Sequence, residues 1–199
     1  DLKQFCTNHN VPLEVHSFSD DYGKPLQEMV SHSTRIPCSI CGVLRRNSLN
    51  KYGRNFDVIA TGHNLDDEAQ SIIMNQFRNN ILASARLGPK TGVGGQKEFT
   101  QRIKPLYFCT EKEVATYAFL KGLISKFNEC TYCEESYRFE IRDLLNEVEK
   151  KYPGTKHGII KSFLEILPLM KEGYSKTKIK YCKKCKEPCS QPDLICQKC

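Results

Sequence analysis

The chain has 199 residues, 39% of them hydrophobic and 27% charged. That balance describes a folded domain with one core and a small appendage; it excludes a disordered chain, and no apolar run reaches the roughly 18 residues of a membrane span. Thirty Lys and Arg against 23 Asp and Glu give a formal charge of +7, which favours a polyanionic partner such as RNA.

In chain order, Asp1–Asn10 reads as the end of a helix and Val11–Phe18 as a strand. The first residues are polar and carry no secretory signal. The missing initiator Met suggests a fragment or a trimmed product. Ser19–Arg35 is irregular, with one helical turn near Leu26–Val30. Pro37 opens a helix over Cys38–Lys51, and Gly53 lies past its end. Phe56–Thr61 is a short apolar strand and Gly62-His63-Asn64 a turn. Leu65–Phe77 is a helix with Ala69, Ile72, Ile73, Gln76 and Phe77 along one face. This order predicts an α/β fold, a partial doubly wound parallel sheet. Residues 88–99 are loop-like, and Arg102–Tyr107 is another strand with Pro105 marking an edge or an end. Thr110 and Glu113 form a capping box for a helix stopping at Gly122. Helices over Ser136–Lys150 and His157–Leu167 follow, parted by Pro153-Gly154. After Pro168 the composition turns to lysine, so two units are expected, 1–170 and 171–199. Seven lysines and one glutamate fall between Lys171 and Lys186, a pattern that fits a solvated tail and nucleic-acid contact equally well.

Eight of the eleven cysteines form Cys-x-x-Cys pairs: Cys38 and Cys41, Cys130 and Cys133, Cys182 and Cys185, Cys196 and Cys199. Without a secretory signal, metal ligation is favoured over a disulfide framework. Cys6 and Cys109 each follow a Phe and read as small buried hydrophobes. The terminal pairs stand ten residues apart, the spacing of a structural Zn2+ module whose metal supplies the folding energy. Cys38 and Cys41 sit at a helix start, where unpaired N–H groups favour thiolate, and Arg45 and Arg46 follow one turn later. With Cys130 and Cys133 they make either a closed four-cysteine site or three ligands around an open position. Spacing alone leaves both open.

Thr61-Gly62-His63-Asn64-Leu65-Asp66-Asp67-Glu68 falls at the C-terminal end of a predicted parallel strand, where ligands gather in doubly wound folds. Asp66 and Asp67 read either as acids holding Mg2+ against nucleotide phosphates or as plain helix caps.

These segments together resemble one family. Pro37-Cys38-Ser39-Ile40-Cys41-Gly42, Arg45-Arg46, the run from Thr61 to Gln70, Lys104-Pro105-Leu106, Glu129-Cys130-Thr131-Tyr132 and the terminal cysteines are similar to the cytosolic and archaeal tRNA 2-thiouridine synthetases of the PP-loop ATPase superfamily. The resemblance implies a cytoplasmic enzyme with an adenine nucleotide α-hydrolase-like fold. It would use ATP to adenylate the C2 oxygen of a tRNA uridine and then replace that oxygen with sulfur. It implies Cys38, Cys41 and Cys130 as ligands of a 4Fe-4S cluster whose fourth iron carries the sulfur. Asp66 would act around the uridine or magnesium and Arg45 against phosphate or the developing anion, with His63, Asp66 and Asp67 lining the nucleotide site. Cys182, Cys185, Cys196 and Cys199 would match a tRNA-facing zinc finger. The partners implied are tRNA, a ubiquitin-like sulfur carrier or free sulfide, and a second copy in a homodimer. Tyr137-Arg138 favours wobble uridine 34 over uridine 54, and the terminal module separates the chain from the cytidine-32 thiolases. Two departures stand out. The Ser-Gly-Gly-x-Asp-Ser loop is absent, so the chain reads as a C-terminal portion inactive by itself, and Cys133 stands where the family has no cysteine. A non-catalytic, zinc-stabilised RNA-binding module is the alternative.

Overall fold

The computed structural model describes residues 2–91, 100–123, 130–133, 136–174, 180–184 and 188–189. Four helices come first: α1 (Leu2–Asn8), α2 (Phe18–Tyr22), α3 (Leu26–Ser31) and α4 (Pro37–Gly53). Then follow β1 (Val58–Ala60), α5 (Leu65–Phe77), α6 (Ile81–Ser84), β2 (Lys90–Thr91) and β3 (Gln101–Ile103). Three further helices, α7 (Glu111–Leu120), α8 (Tyr137–Lys151) and α9 (Thr155–Tyr174), lead to an antiparallel pair, β4 (Lys180–Tyr181) and β5 (Pro188–Cys189). Among the described residues no helix is long and apolar enough to cross a membrane.

The fold is mostly helical, which corrects the expected doubly wound parallel sheet. The central sheet is small and mixed, in the order β1-β3-β2, with β1 parallel to β3 and β2 antiparallel to it. Two causes are local. Pro89 precedes β2 and Pro105 closely follows β3, and proline cannot donate to a ladder. The expected strand over Val11–Phe18 does not form. Val11, Leu13 and Val15 remain 50%, 38% and 69% exposed, and no described strand lies beside them. Alternating apolar residues gain from a pleated form only when one face is covered. Phe18 starts α2 instead, because Ser17 and Asp20 close a capping box there.

The four-cysteine zinc module is corrected as well. Among the described residues no group of three or more His, Cys, Asp or Glu side chains is placed to hold a metal. Cys182 is fully buried at the β4–β5 hairpin, but one thiol is not a four-thiolate site. Cys185, Cys196 and Cys199 lie outside the described residues.

The core is a three-helix layer. Leu65, Ala69 and Ile72 of α5 meet Ile141 and Leu145 of α8 and Ile160, Phe163 and Leu167 of α9, with Tyr107 closing one side. The spacings of three, four and seven put each set on one helix face. Each leucine, isoleucine and phenylalanine of this set contributes about 1.5–3 kcal/mol by leaving water. That packing carries α9 through Pro168 to Tyr174, past the predicted stop at Leu167.

At the other side α4 lies against the sheet. Its last residue, Gly53, is so close to Ile59 that an added Cβ would stand 2.3 Å from Ile59 Cδ1. Thr100, just before β3, donates to the Gly53 carbonyl at 2.6 Å, and Arg102 donates to the Asn50 side chain. The end of α4 is thereby fixed at the amino ends of the strands. Seventeen residues at about 1.5 Å each carry its start roughly 25 Å away. Asp21 of α2 fastens the outer face of α4, accepting from Lys51, Ser48 and Tyr52 at 2.7, 2.6 and 2.6 Å. The Lys51 ammonium, then the Ser48 and Tyr52 hydroxyls, hold the Asp21 carboxyl well below the usual range, while Asp21 raises Lys51 to about 12.

Candidate functional site

Three segments separated in sequence carry the candidate residues; the third follows the carboxyl end of β1. The first is the start of α4, with Pro37 at its first turn and Cys38 and Cys41 half-buried. The second is the Cys130–Cys133 turn, closed by the Cys133 N–H donating to the Cys130 carbonyl at 3.0 Å. The Cys38 thiol donates to the Tyr132 carbonyl at 3.4 Å, which joins these two. The third is the turn before α5. Asn64 caps this helix reciprocally with Asp67, at 3.0 and 3.1 Å. Arg138, six residues beyond Tyr132, connects the second segment to the third. Its guanidinium donates to Gln70 Oε1 at 3.1 Å, Ser71 Oγ at 3.0 Å and the Asp67 carbonyl at 3.3 Å.

Within the third segment, inner and outer residues differ. Asp66 is 5% exposed. One oxygen accepts from Lys156 Nζ, which also donates to Asn146 at 2.6 Å; the other accepts from the Glu111 N–H at 2.7 Å. Asp66 therefore ties α5 to α9 and also supplies a cap for α7. Glu68 is paired with Lys104 at 2.6 Å, both buried. Among the described residues its second oxygen and the Tyr107 hydroxyl are buried without a hydrogen-bond partner, and burial, then the Glu68 charge, push the Tyr107 phenol up. On the outside, the exposed His63 ring places Nδ1 3.0 Å from Thr61 Oγ1. Loss of water around the ring lowers its pKa. Asp67 and Glu68 oppose that shift, while Lys104 and Arg138 add to it.

Arginines line the approach along α4. Arg45 is exposed, and Arg46 folds back over Gly42, within 3.7 Å of where a Cβ would stand. Burial lowers the pKa of Arg46, helped by Arg45, and that of Arg102, helped by Arg46. All three guanidiniums remain cationic at neutral pH, so the strip attracts phosphate.

The expected cofactors do not fit this geometry. Cys38 is turned to a carbonyl and Cys130 is exposed, and among the described residues no three donors converge on a point. The 4Fe-4S cluster expected on Cys38, Cys41 and Cys130 and the Zn2+ expected on the terminal cysteines are therefore corrected. The ATP-bound Mg2+ expected at Asp66 and Asp67 meets the same finding. The Asp66 oxygens are taken by Lys156 and Glu111, and Asp67 accepts from the Asn64 N–H and Arg138. Lys156 was not singled out in the sequence, where it lies 90 residues from Asp66. Its one signal is a lysine in the first turn of a helix, where the dipole disfavours a cation unless an acid faces it.

The candidate site thus combines a cysteine-bearing helix start with a capped acidic turn that follows a parallel strand. No family model matches the chain. The tRNA-5-methyluridine(54) 2-sulfurtransferase of Pyrococcus horikoshii is 36% identical over 190 residues, covering 94% of this chain and 60% of that protein. Cytoplasmic tRNA 2-thiolation protein 1 of Candida glabrata is 32% identical over 208 residues, covering 100% of this chain and 57% of that protein. A solved structure, the U34-tRNA thiolase NcsA from Methanococcus maripaludis with its 4Fe-4S cluster, superposes with a TM-score of 0.71 at 35% identity, over 84% of this chain and 56% of that one. The chain thus spans well under two thirds of the length of these relatives. Over most of its own length it is homologous to the archaeal and cytoplasmic tRNA 2-thiouridine synthetases, which are tRNA thiolation enzymes.

Proposed function

We propose that this chain is part of a cytoplasmic enzyme that replaces the C2 oxygen of a tRNA uridine with sulfur, at wobble position 34. The observation that carries this is the joining of the α4 start to the Cys130–Cys133 turn through Cys38 and Tyr132. The similarity to a U34-tRNA thiolase supports the choice of position. A uridine carbonyl oxygen leaves poorly, so it is first activated by adenylation and then displaced by sulfur. Cys38, Cys41 and Cys130 supply soft donors on the side where sulfur arrives. Arg45 faces phosphate or the anion that develops at C2. Asp67 and His63 border the base. Asp66 acts as a positioning residue, since it holds the start of α5 against Lys156 and the start of α7. The lysines between Lys171 and Lys186 supply positive charge for the tRNA backbone. A ubiquitin-like carrier supplies the sulfur.

Position 54 is the second reading, favoured by the similarity to a uridine-54 sulfurtransferase. Full-length protein incubated with ATP, a sulfur donor and tRNA lacking either uridine separates the two. Mass spectrometry of the digested nucleosides should show 2-thiouridine lost only with uridine 34. Product lost only with uridine 54 selects the second reading, and no product with intact tRNA refutes both.

A further inference from the structure

The sheet beneath His63 favours one tautomer of its ring. The Thr61 hydroxyl has one proton, and it is directed at the Ile103 carbonyl, 3.4 Å away. The Thr61 backbone N–H reaches the same carbonyl at 2.9 Å, continuing the β1–β3 ladder and fixing where Thr61 Oγ1 lies. With that proton on the carbonyl, the oxygen accepts from His63 Nδ1, at 3.0 Å, an arrangement that puts the ring proton on Nδ1 and leaves a bare lone pair on Nε2. Among the described residues Nε2 makes no hydrogen bond, and the ring is exposed. The charged groups facing His63 are Asp67 and Glu68 from α5, Lys104 after β3 and Arg138 from α8, two of each sign. Loss of water around the ring is the largest influence and lowers its pKa, which favours the neutral ring.

We propose that His63 Nε2 is the general base that removes the N3 proton of the target uridine while the C2 oxygen is being activated. This rests on the thiolation reading above. An imide oxygen is a poor nucleophile until N3 is deprotonated. As the N3–H bond breaks, its proton goes to Nε2 and its electron pair forms a C2–N3 double bond. The C2 oxygen, now negative, bonds to the α-phosphorus of the nucleoside triphosphate, and pyrophosphate leaves. Sulfur at the hydrosulfide level then adds to C2 and the nucleoside monophosphate departs with the oxygen. No electrons are transferred. A neutral imidazole with a free ring nitrogen suits this proton transfer.

Two measurements test it. In protein with 15N-labelled histidine, NMR should show His63 protonated on Nδ1 and bare on Nε2 at neutral pH, and T61V should remove that bias. A ring protonated on Nε2 overturns the proposal. In full-length protein, single-turnover 2-thiouridine formation is followed against pH for wild type, H63A and H63N, with tRNA affinity and thermal unfolding measured alongside. The expected result is a loss of about 10²–10⁴-fold in the chemical step. Affinity and folding stay unchanged, the acid limb of the pH profile disappears, and added imidazole partly rescues H63A. H63A that keeps the wild-type rate or acid limb overturns the proposal while leaving the thiolation reading intact. Absence of 2-thiouridine with wild-type protein overturns both.

Discussion

Helix α5 borders two regions with opposite physics. On its inner side, Asp66 and Glu68 lie out of water, each against a lysine from another element. On its outer side His63 and Asp67, like the thiols of Cys38, Cys41, Cys130 and Cys133, are half or fully exposed. Both regions are rich in groups that a sequence reader marks as chemical. Burial decides which charges hold the fold and which remain available to a ligand. A desolvated ion pair is costly to break, whereas an exposed thiol is energetically almost idle.

The sharpest way to break this comparison is Asp66→Ala, which strands the Lys156 ammonium among buried groups. It should cost about 3–5 kcal/mol, read as a fall in the denaturant midpoint. A loss within about 0.5 kcal/mol would place Asp66 with the surface substitutions and undo the distinction. Ile72→Ala, which empties part of the α5 packing face, should cost about 2–5 kcal/mol. Gly53→Ala drives a methyl group into Ile59 and should cost about 1–3 kcal/mol, seen in the same titration.

On the exposed side, Cys38→Ser should change stability by less than about 0.5 kcal/mol. In the full-length protein it should nonetheless abolish 2-thiouridine formation, and retained product would remove Cys38 from the chemistry. The smallest effect concerns Glu149. Burial pushes its carboxyl up, but the Lys156 and Gly154 N–H groups outweigh this and hold it below its ordinary 4.5. A lowered pKa in the folded state gives stability that is complete above 4.5 and is lost as pH falls through the lower folded value. Glu149→Gln should therefore differ from wild type in neutral unfolding curves, with the difference shrinking in acid.

Local chemistry was legible wherever a signal was short-range. Pro37 marked the start of α4, and Thr110 with Glu113 formed the predicted capping box. The run Leu65–Phe77 is the helix expected, although its apolar face is Leu65, Ala69 and Ile72, while Gln76 and Phe77 point to solvent. Strands were harder, because a strand is stable only with a neighbour. Val11–Phe18 has the composition but no described partner, and Arg102–Tyr107 shrinks to Gln101–Ile103 where its neighbours end. Pro168 ended the predicted helix by a rule that the buried Phe163 and Leu167 override. The cysteine spacings misled for a related reason. Spacing reports nearness along the chain, and ligation needs nearness in space. The Asp66–Lys156 pair was illegible because nothing local relates residues 90 positions apart.

The contact between Cys38 and Tyr132 also sets a clock. The two residues stand 94 positions apart, so the growing polypeptide offers the start of α4 its partner only long after that start has been made. At about 5–20 residues per second the delay is roughly 5–20 s. During that interval the Cys38 thiol is on the nascent chain without the turn that later covers it, open to any oxidant or metal the surroundings hold.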